Sequence, residues 1–378
     1  MMNDLLYLVF PKSAESGTLE TLPSTKGMQV IQEDEFLELS KELINSNKIC
    51  ITSEAVLESV LYKIDDNSKA IAIKSMKDKY LFRNLLTDMF PSLKYQTVEL
   101  KDISKLSLTS KKILKPTKGC FGTAVKTIDE NSDKDRVIEE IKVELNKNAT
   151  ILSKNVLSHS KFILEDYIDG EEYAVDMFFD SKGNPHIVNI YYHPIPMHSE
   201  YLHMIYYTSK NIFEKVYERA MLFFIEINKK LKLKNITLHS EFKLFKELIP
   251  IEINPMRYGG MGLGNMIYHS LNINTYTHFL EEKRPDWERI WQSYPNENFV
   301  FLLAYNGTQI DLNKQKPNFI KIESHFSTIL KKTTFNYQKQ LAFAIYTLQE
   351  SLENIEKLLQ IDFNDYFESI EKPGAKKN

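Results

Sequence analysis

The spacing of apolar residues predicts that strands and helices alternate at the start of the chain. The runs LLYLVF and KICITS are short and mostly apolar, which is typical of buried strands. The segments EDEFLELSKELIN and SEAVLESVLYKI carry apolar residues at helical spacing between and after those strands. This order predicts a small open α/β domain over residues 1–75.

A second unit is predicted over residues 76–160. The segment SMKDKYLFRNLLTDMF has helical spacing, with Ser75 as the candidate N-cap. The segment KKILKPTKGCFGTAVKTI predicts two strands joined by a loop that contains glycine. A polar, solvated helix is predicted from Ser132 to Asn146.

Alternating apolar and polar residues predict a sheet-rich unit over residues 161–290. Turn signals separate three alternating runs, which predicts an antiparallel meander of KFILEDYI, EYAVDMFF and HIVNIYY. A long helix follows, and its buried stripe is predicted to comprise Phe213, Val216, Ala220, Phe223, Ile227 and Leu231. The last two strands, NITLHSEFKLF and LIPIEINP, are predicted to be antiparallel neighbours.

Residues 291–378 are predicted to add a strand and a helix. The run FVFLLAY has the continuous apolar character of a buried strand. A C-terminal helix is predicted from an apolar stripe of Leu341, Ile345, Leu348, Leu352 and Ile355. The final segment, EKPGAKKN, is predicted to be a disordered tail.

Composition and charge narrow the class of protein. The chain has 378 residues, 43% hydrophobic and 26% charged, which predicts a soluble globular protein of two or three domains. A net charge of −3 argues against a general nucleic-acid or membrane-surface binder, and the apolar runs are too short to span a bilayer. With two cysteines and no secretory leader pattern, the expected compartment is the cytoplasm.

The strand LIPIEINP carries the strongest candidate chemistry. Glu252 and Asn254 are two residues apart, so their side chains share one face of the strand. Glu241 lies in the neighbouring strand, flanked by apolar residues. Two carboxylates and an amide oxygen are hard ligands that suit Mg²⁺. The specialised turn NPMRYGG that follows favours this interpretation over an exposed polar hairpin.

Two further motifs are ambiguous on their own. In ILKPTKGCFGTAV, Lys115 and the backbone N–H groups near Gly119 and Gly122 suit phosphate, but a hairpin with a solvated lysine explains the pattern equally well. In EDYIDGEEYAVD, backbone groups beside a turn suit an adenine edge, and an acidic residue across the turn suits ribose hydroxyls. Alone, this second motif favours an ordinary surface hairpin.

The histidines of the chain give weaker signals. The segment NIYYHPIPMHSEYLHMIYY holds His193, His198 and His203 without the regular spacing of a zinc site. It is expected to form an aromatic-rich loop packed on the meander, with substrate contact as the alternative. In a regular strand His239 shares the face of Glu241, which leaves open a supporting role beside the metal ligands.

In this order along the chain, the motifs resemble those of the ATP-grasp superfamily from Lys79 to Leu271. The resemblance implies two α+β subdomains that hold ATP between them, preceded by a small open α/β domain. DKYLFR resembles the first phosphate-facing lysine region, and KPTKGCFG resembles the lysine-bearing strand and glycine flap. The resemblance therefore implies that Lys79 and Lys115 contact phosphates.

The resemblance also implies the other ligands of ATP and magnesium. EDYIDGEE resembles the hinge that meets adenine and ribose, which implies nucleotide contacts from Glu165, Asp166, Ile168 and Glu172. HSEF and IEINP resemble the two metal strands, which implies Mg²⁺ ligands at Glu241, Glu252 and Asn254.

The turn NPMRYGG resembles the closing turn of many members, except that Met256 separates the proline from Arg257. We expect Met256 to act as a spacer that leaves Arg257 in the site. The resemblance then implies that Arg257 and Lys115 act in catalysis, with Arg257 stabilising an acyl phosphate and the oxyanion that follows.

The implied activity is that of an ADP-forming carboxylate–amine ligase, acting on an amino acid or a peptide-like compound. A kinase or a non-catalytic nucleotide-binding module on the same fold is the alternative. The implied cofactors are ATP and Mg²⁺. The implied partners are a small-molecule carboxylate and an amine, with no nucleic acid and no membrane, and a homodimer is left open.

Overall fold

The structure is a computed structural model, and it describes residues 5–12, 17–119, 122–148, 157–196 and 204–370. Cys120 of the predicted flap, His198, His203 and the predicted tail at 371–378 lie outside the described residues.

Numbered along the chain, the strands are β1 (Leu6–Phe10), β2 (Met28–Gln32), β3 (Lys48–Ile51), β4 (Tyr95–Glu99), β5 (Lys112–Pro116), β6 (Lys126–Ile128), β7 (Lys161–Asp166), β8 (Glu171–Phe179), β9 (Pro185–His193), β10 (Ile205–Thr208), β11 (Ile236–Leu244), β12 (Leu248–Pro255), β13 (Asn298–Tyr305), β14 (Gln315–Pro317), β15 (Thr328–Thr334), β16 (Ala342–Glu350) and β17 (Phe367–Ser369).

The α-helices are α1 (Gly17–Glu20), α2 (Glu33–Glu38), α3 (Lys41–Asn45), α4 (Leu57–Lys63), α5 (Asn67–Lys77), α6 (Lys79–Leu86), α7 (Lys134–Asn148), α8 (Lys210–Leu231), α9 (Met266–Leu271), α10 (Thr275–Glu281), α11 (Trp287–Ser293), α12 (Phe319–Glu323) and α13 (Leu352–Leu358). Short 3-10 helices lie at Glu54–Val56, Leu100–Lys105, Leu263–Asn265 and Phe363–Tyr366.

The N-terminal unit contains a parallel sheet with β1 at its centre. β1 pairs in parallel with β2 on one side and with β3 on the other. Parallel strands need crossover connections, which α1 to α3 provide here. The segment predicted as one helix is split into α2 and α3, because the Ser40 side chain caps α3 by accepting from the N–H of Leu43. The predicted open α/β fold is confirmed, with β2 as an additional strand.

A four-stranded antiparallel sheet, in the order β4–β7–β5–β6, forms the next layer. Helix α7 packs on it, because Ile141 and Leu145 are buried together with Leu114 of β5 and Phe162 of β7. The predicted glycine loop joins β5 to β6. Packing of α7 thus fixes the sheet from which that loop extends.

An eight-stranded sheet, in the order β12–β11–β8–β9–β10–β13–β16–β15, forms the largest layer. Each strand of this sheet pairs with its neighbours in antiparallel orientation. The predicted stripe of α8 is buried in the main core together with strands of this sheet. The predicted pairing of β11 with β12 is confirmed.

The predicted three-stranded meander is wrong at its first strand. β7 pairs with β4 and β5 in the smaller sheet, whereas β8 pairs with β9 and β11 in the larger sheet. The residues between β7 and β8 therefore carry the chain from one sheet to the other. Gly170 has a φ of +118°, and a Cβ there would lie 2.4 Å from the carbonyl oxygen of Leu244, so this crossing requires glycine.

The predicted C-terminal helix is also wrong over most of its length. Residues 342–350 form β16, which lies between β13 and β15, and α13 begins only at Leu352. Every side chain from Ala342 to Leu348 is buried. A strand buried on both faces is apolar throughout, so the spacing of its apolar residues does not distinguish it from a helix.

The helix start predicted at Ser75 is wrong, because Ser75 lies inside α5. Helix α5 ends before Asp78, and the carboxylate of Asp78 caps α6 by accepting from the N–H groups of Tyr80 and Leu81. This break places Lys77 at the end of one helix and Lys79 at the start of the next.

Candidate functional site

A cavity lies between the four-stranded and eight-stranded sheets. Every site residue predicted from the sequence lines it: Lys79, Lys115, Glu165, Asp166, Ile168, Glu172, Glu241, Glu252, Asn254 and Arg257. Phe301 of β13 lines the same cavity although β13 is far from β12 in strand order. The larger sheet therefore curves around the cavity.

The two candidate metal strands bring their carboxylates face to face. Glu241 on β11 lies directly opposite Glu252 on β12, and Asn254 lies opposite His239. Opposed residues in an antiparallel pair have Cβ atoms ~4.5–5.5 Å apart, so the two carboxylates share one patch. A β-bulge follows, because the pairing passes from Glu252 to Pro250 and leaves Ile251 unpaired.

Two lysines hold Glu252. Lys79 Nζ lies 2.8 Å from Oε2 of Glu252, and Lys77 Nζ lies 3.6 Å from Oε1. Lys77 Nζ also donates to Oδ1 of Asn254 at 3.1 Å. Burial disfavours the charged form of Glu252, but the charges of Lys79 and Lys77 outweigh burial and lower its pKa. Glu252 is therefore an anion at neutral pH.

The oxygen atoms of Glu241, Glu252 and Asn254 fit a magnesium ion. They are two carboxylates and one amide on adjoining positions of paired strands, and such hard ligands are the ones that Mg²⁺ prefers. Across the part of the chain that the structure describes, no group of three or more His, Cys, Asp or Glu side chains is arranged to hold a metal. The candidate set consists of two carboxylates and the amide of Asn254.

Lys115 and Glu165 form an ion pair across β5 and β7. Lys115 Nζ lies 2.5 Å from Oε1 of Glu165, and Nε of Arg83 lies 2.6 Å from Oε2. Burial opposes the charge on Glu165, but Arg83 and Lys115 outweigh it and lower its pKa to about 2. The neighbouring Asp166 contacts Nζ of Lys112 at 2.5 Å instead. The predicted adenine contact is thus a carboxylate that already binds two cations.

Glu172 on β8 joins a second polar group. It contacts Nδ1 of His193 at 2.7 Å and Nζ of Lys243 at 3.1 Å. The ring of His193 stacks on Tyr206, with centroids 4.2 Å apart. Both aromatic residues come from the segment predicted to be a loop. The loop prediction is wrong at its C-terminal end, where residues 205–207 belong to β10 and bring Tyr206 to the cavity. At the other end, the strand predicted from HIVNIYY is β9, which extends to His193.

The turn after β12 buries Met256 and brings Arg257 to the cavity. Met256 has a φ of +67° and a buried side chain. Its N–H donates to the carbonyl of Thr237 at 2.7 Å, and its own carbonyl accepts from the N–H of Ile51 at 2.8 Å. The left-handed backbone at Met256 redirects the chain, so the next side chain faces the cavity. Nη2 of Arg257 there lies 3.0 Å from Oε1 of Glu54.

The buried Asp176 fixes both the turn and a histidine. Its Oδ1 accepts from the N–H of Gly259 at 2.9 Å and lies 2.8 Å from Nδ1 of His239, and its Oδ2 accepts from the Tyr191 hydroxyl at 2.7 Å. Nε2 of His239 lies 3.7 Å from Oε1 of Glu241. Burial disfavours the charged imidazolium, but Asp176 outweighs burial and the pKa of His239 rises to about 9. His239 shares the face of Glu241, as strand alternation predicts.

Strand β13 forms an apolar wall of the cavity, made of Phe301, Leu303 and Tyr305. Phe301 and Leu303 are buried, and burial raises the pKa of Tyr305 to about 12. The Tyr305 hydroxyl is therefore neutral at physiological pH. The cavity thus combines charged strands, β11 and β12, with an uncharged wall.

Comparison with known proteins identifies the fold. Residues 109–265 match the family model described as an ATP-grasp domain. The chain contains an ATP-grasp domain. A search of curated proteins gave no match.

Solved structures share the fold over almost the whole chain. The L-amino acid ligase from Bacillus licheniformis is 13% identical, with a TM-score of 0.66, over 98% of this chain and 100% of that one. Carboxyaminoimidazole ribonucleotide synthase from Aspergillus clavatus, complexed with ATP, is 10% identical, with a TM-score of 0.61, over 97% and 98%. Biotin carboxylase from Campylobacter jejuni is 13% identical, with a TM-score of 0.58, over 93% and 84%. These similarities show that the ATP-grasp fold includes the flanking units.

Three charged residues that contact candidate site residues were not predicted from the sequence: Glu54, Lys77 and Arg83. A signal for Arg83 was present, because it lies four residues after Lys79 and so shares its face of α6. Lys77 and Glu54 carry no such signal, since their contacts depend on how α5 and the N-terminal unit pack against β12.

In the described part of the chain, no helix is long and apolar enough to cross a membrane.

The glycine flap of the ATP-grasp domain is expected to become more protected when nucleotide binds. Lys79 Nζ donates to the carbonyl of Gly119 at 3.1 Å, and Gly122 has a φ of +64°. Hydrogen exchange of residues 117–119 and 122–125 should slow when a non-hydrolysable ATP analogue and Mg²⁺ are added. The distant turn at residues 180–183 serves as the control and should not change. Unchanged exchange at the flap would contradict this prediction.

Proposed function

We propose that the protein is an ATP-dependent, ADP-forming ligase that joins a carboxylate to an amine through an acyl phosphate. One observation carries the proposal: Lys79, Lys115, the pair Glu241 and Glu252, and Arg257 all line one cavity. Phosphoryl transfer needs charge neutralisation and alignment more than a covalent protein nucleophile, and these residues provide both. The fold shared with a solved L-amino acid ligase supports the same reaction class.

In the proposed first step, an oxygen of the substrate carboxylate attacks the γ-phosphorus of ATP. The bond from that phosphorus to the β–γ bridging oxygen breaks, and ADP leaves. Lys79 and Lys115 bind the phosphates, and Arg257 stabilises the charge that develops on the transferred group. Glu241, Glu252 and Asn254 would hold Mg²⁺, which would supply positive charge to the phosphate oxygens.

In the second step, the neutral amine nitrogen attacks the acyl carbon, and the proton that the nitrogen loses goes to the departing phosphate. The bond from that carbon to the phosphate oxygen breaks, and inorganic phosphate leaves with the electron pair. Arg257 stabilises the oxyanion formed during this attack. The apolar wall of β13 limits access of water, which would otherwise hydrolyse the acyl phosphate.

The substrate proposed for this site is an amino acid or a peptide-like compound with an uncharged, apolar side group. Its carboxylate lies near Arg257, and its side group packs on Phe301, Leu303 and Tyr305. The support is the absence of any charged residue in β13, whose sequence is NFVFLLAY. A charged side group would lose its water there without gaining a partner.

A matrix of carboxylates and amines, assayed for ADP and phosphate, tests the proposed function. We expect release of both only when a carboxylate and an amine are present together, with the highest kcat/KM for amino acids that have apolar side chains. Aspartate and lysine, as charged amino acids, are the matched controls and should react at least ~10-fold more slowly. A phosphorylated stable product would indicate a kinase, and ATP binding without ADP formation would indicate a non-catalytic module.

A further inference from the structure

Glu54 is a buried carboxylate to which the proposed reaction gives no role. It begins the short 3-10 helix after β3, in the N-terminal unit, and only 7% of the residue is exposed. Its Oε1 lies 3.0 Å from Nη2 of Arg257, and Nζ of Lys77 contacts its Oε2. Burial opposes the charge on Glu54, but Lys77 and Arg257 outweigh burial and lower its pKa. Glu54 is therefore an anion between two cations, of which Arg257 lines the cavity.

These contacts join three parts of the chain that are remote in sequence. Glu54 belongs to the N-terminal unit, Lys77 ends α5, and Arg257 follows β12. Lys77 also contacts Glu252 and Asn254, two of the candidate metal ligands. Glu54 is thus linked directly to Arg257 and, through Lys77, to the metal ligands.

The guanidinium of Arg257 contacts Glu54 and the adjacent backbone. Within the described residues, Glu54 is the one carboxylate in ion-pair distance of Arg257. Nη1 of Arg257 donates to the carbonyl of the adjacent Tyr258 at 3.0 Å. Without the carboxylate, that local bond alone would hold a long side chain that has many rotamers.

We infer that Glu54 is a positioning residue that directs the guanidinium of Arg257 toward the reacting groups. The inference rests on the proposed function, because it concerns the same reaction. Glu54 lies outside residues 109–265, so the matched ATP-grasp domain lacks this carboxylate and the N-terminal unit contributes it. Glu54 acts through Arg257 and does not contact the substrate.

Glu54→Gln tests the inference, because it keeps the size of the side chain and removes its charge. We expect kcat to fall by ~10²-fold, the order of loss that a small misplacement of a catalytic group produces. The KM for ATP should stay within about threefold, since the residues proposed to bind nucleotide are unchanged. Glu54→Asp restores the charge with a shorter side chain, and should recover part of kcat.

A double-mutant cycle separates positioning from a general structural effect. In an Arg257→Ala background, Glu54→Gln should reduce kcat by less than about threefold, because its target is already absent. Glu282→Gln is the matched control, since Glu282 pairs with the buried Lys48 at 3.0 Å and does not line the cavity. It should lower the Tm and leave kcat and KM unchanged. Two results would overturn the inference. One is a wild-type kcat in Glu54→Gln. The other is a double variant whose loss in kcat equals the product of the losses in the two single variants.

The same proteins distinguish failure of the inference from failure of the proposed function. Wild-type protein that binds Mg·ATP but releases no phosphate with any carboxylate and amine would overturn the proposed function. In that case, the contact between Glu54 and Arg257 is tested by thermal unfolding of the four proteins of the double-mutant cycle. Changes in Tm that simply add would show that Glu54 does not hold Arg257, and would overturn the inference as well.

Discussion

Replacing Glu252 with glutamine is expected to reduce ADP and phosphate release by ~10³-fold or more. A metal ion contributes several kcal/mol of charge stabilisation in the transition state. Each ~1.4 kcal/mol lost slows the reaction by a factor of ten. Glu252 faces Glu241 across the paired strands, so its carboxylate provides half of the anionic charge proposed for Mg²⁺. Glutamine keeps the shape and one acceptor oxygen but removes that charge.

The measurement is phosphate release at saturating ATP, together with Mg²⁺ titrations of nucleotide binding. Glu247→Gln is the matched control, because Glu247 is an exposed glutamate in the turn between the same two strands. It should retain wild-type activity and Mg²⁺ dependence. Normal phosphate release in Glu252→Gln would remove the metal assignment.

The substitution also changes the stability of the site, and this effect must be measured separately. Glu252 pairs with Lys79 at 2.8 Å, and both side chains are largely buried. Removing one member of a buried ion pair costs ~3–5 kcal/mol when the other charge is left without compensation. Here Lys77 keeps its contact with Glu54, and glutamine can still accept from Lys79, so we expect a smaller loss. A melting curve with one cooperative transition would show that lost activity reflects the site.

Strands with one buried face were the part of the fold that the sequence predicted best. Polar and apolar residues alternate over residues 241–244 of β11 and 251–254 of β12, so both the strands and the shared face of Glu252 and Asn254 followed from spacing. The lysine-bearing β5 and the stripe of α8 were predictable for the same reason. Local pattern is sufficient where one side of an element contacts the core and the other does not.

Local pattern failed where burial is complete or where pairing is remote. β16 is buried on both faces, so its apolar residues fit a helical spacing as well as a strand. β7 and β8 are consecutive and both alternate, but Gly170 carries the chain between two different sheets. Neither the completeness of burial nor the choice of partner strand is encoded in the spacing of a single segment.

The candidate site divides in the same way. Residues on regular strands, such as Glu241 and Asn254, could be assigned to a face before their surroundings were known. The partners of those residues could not, because Lys77 and Glu54 contact Glu252 and Arg257 only through packing of the N-terminal unit against β12. The charge balance of the site is therefore a tertiary property, even though most of its members lie in recognisable motifs.

Arg257→Ala is expected to reduce ligation by ~10²-fold or more, the loss typical of removing one donor that acts in the transition state. The structure gives the physical basis for that expectation. Met256, the extra residue of the turn, is buried with a φ of +67°, and Arg257 lines the cavity beside Glu54. The backbone of Met256 is held by Thr237 and Ile51, so the turn should keep its shape without the arginine side chain.

The affinity for Mg·ATP separates this prediction from a general loss of the site. Nucleotide is proposed to bind Lys79, Lys115, Glu172 and the metal, so Arg257→Ala should leave that affinity within a few-fold. Arg257→Lys should recover little activity, because an ammonium cannot contact Glu54 and two reacting oxygens with the planar geometry of a guanidinium. Arg219→Ala, at an exposed arginine on α8, is the matched control and should behave as wild type. If Arg257→Ala turned over normally, then Arg257 would serve only to pair with Glu54. The oxyanion would then have to be stabilised by another cation of the cavity, such as His239, whose pKa is about 9 and whose Nε2 lies 3.7 Å from Oε1 of Glu241.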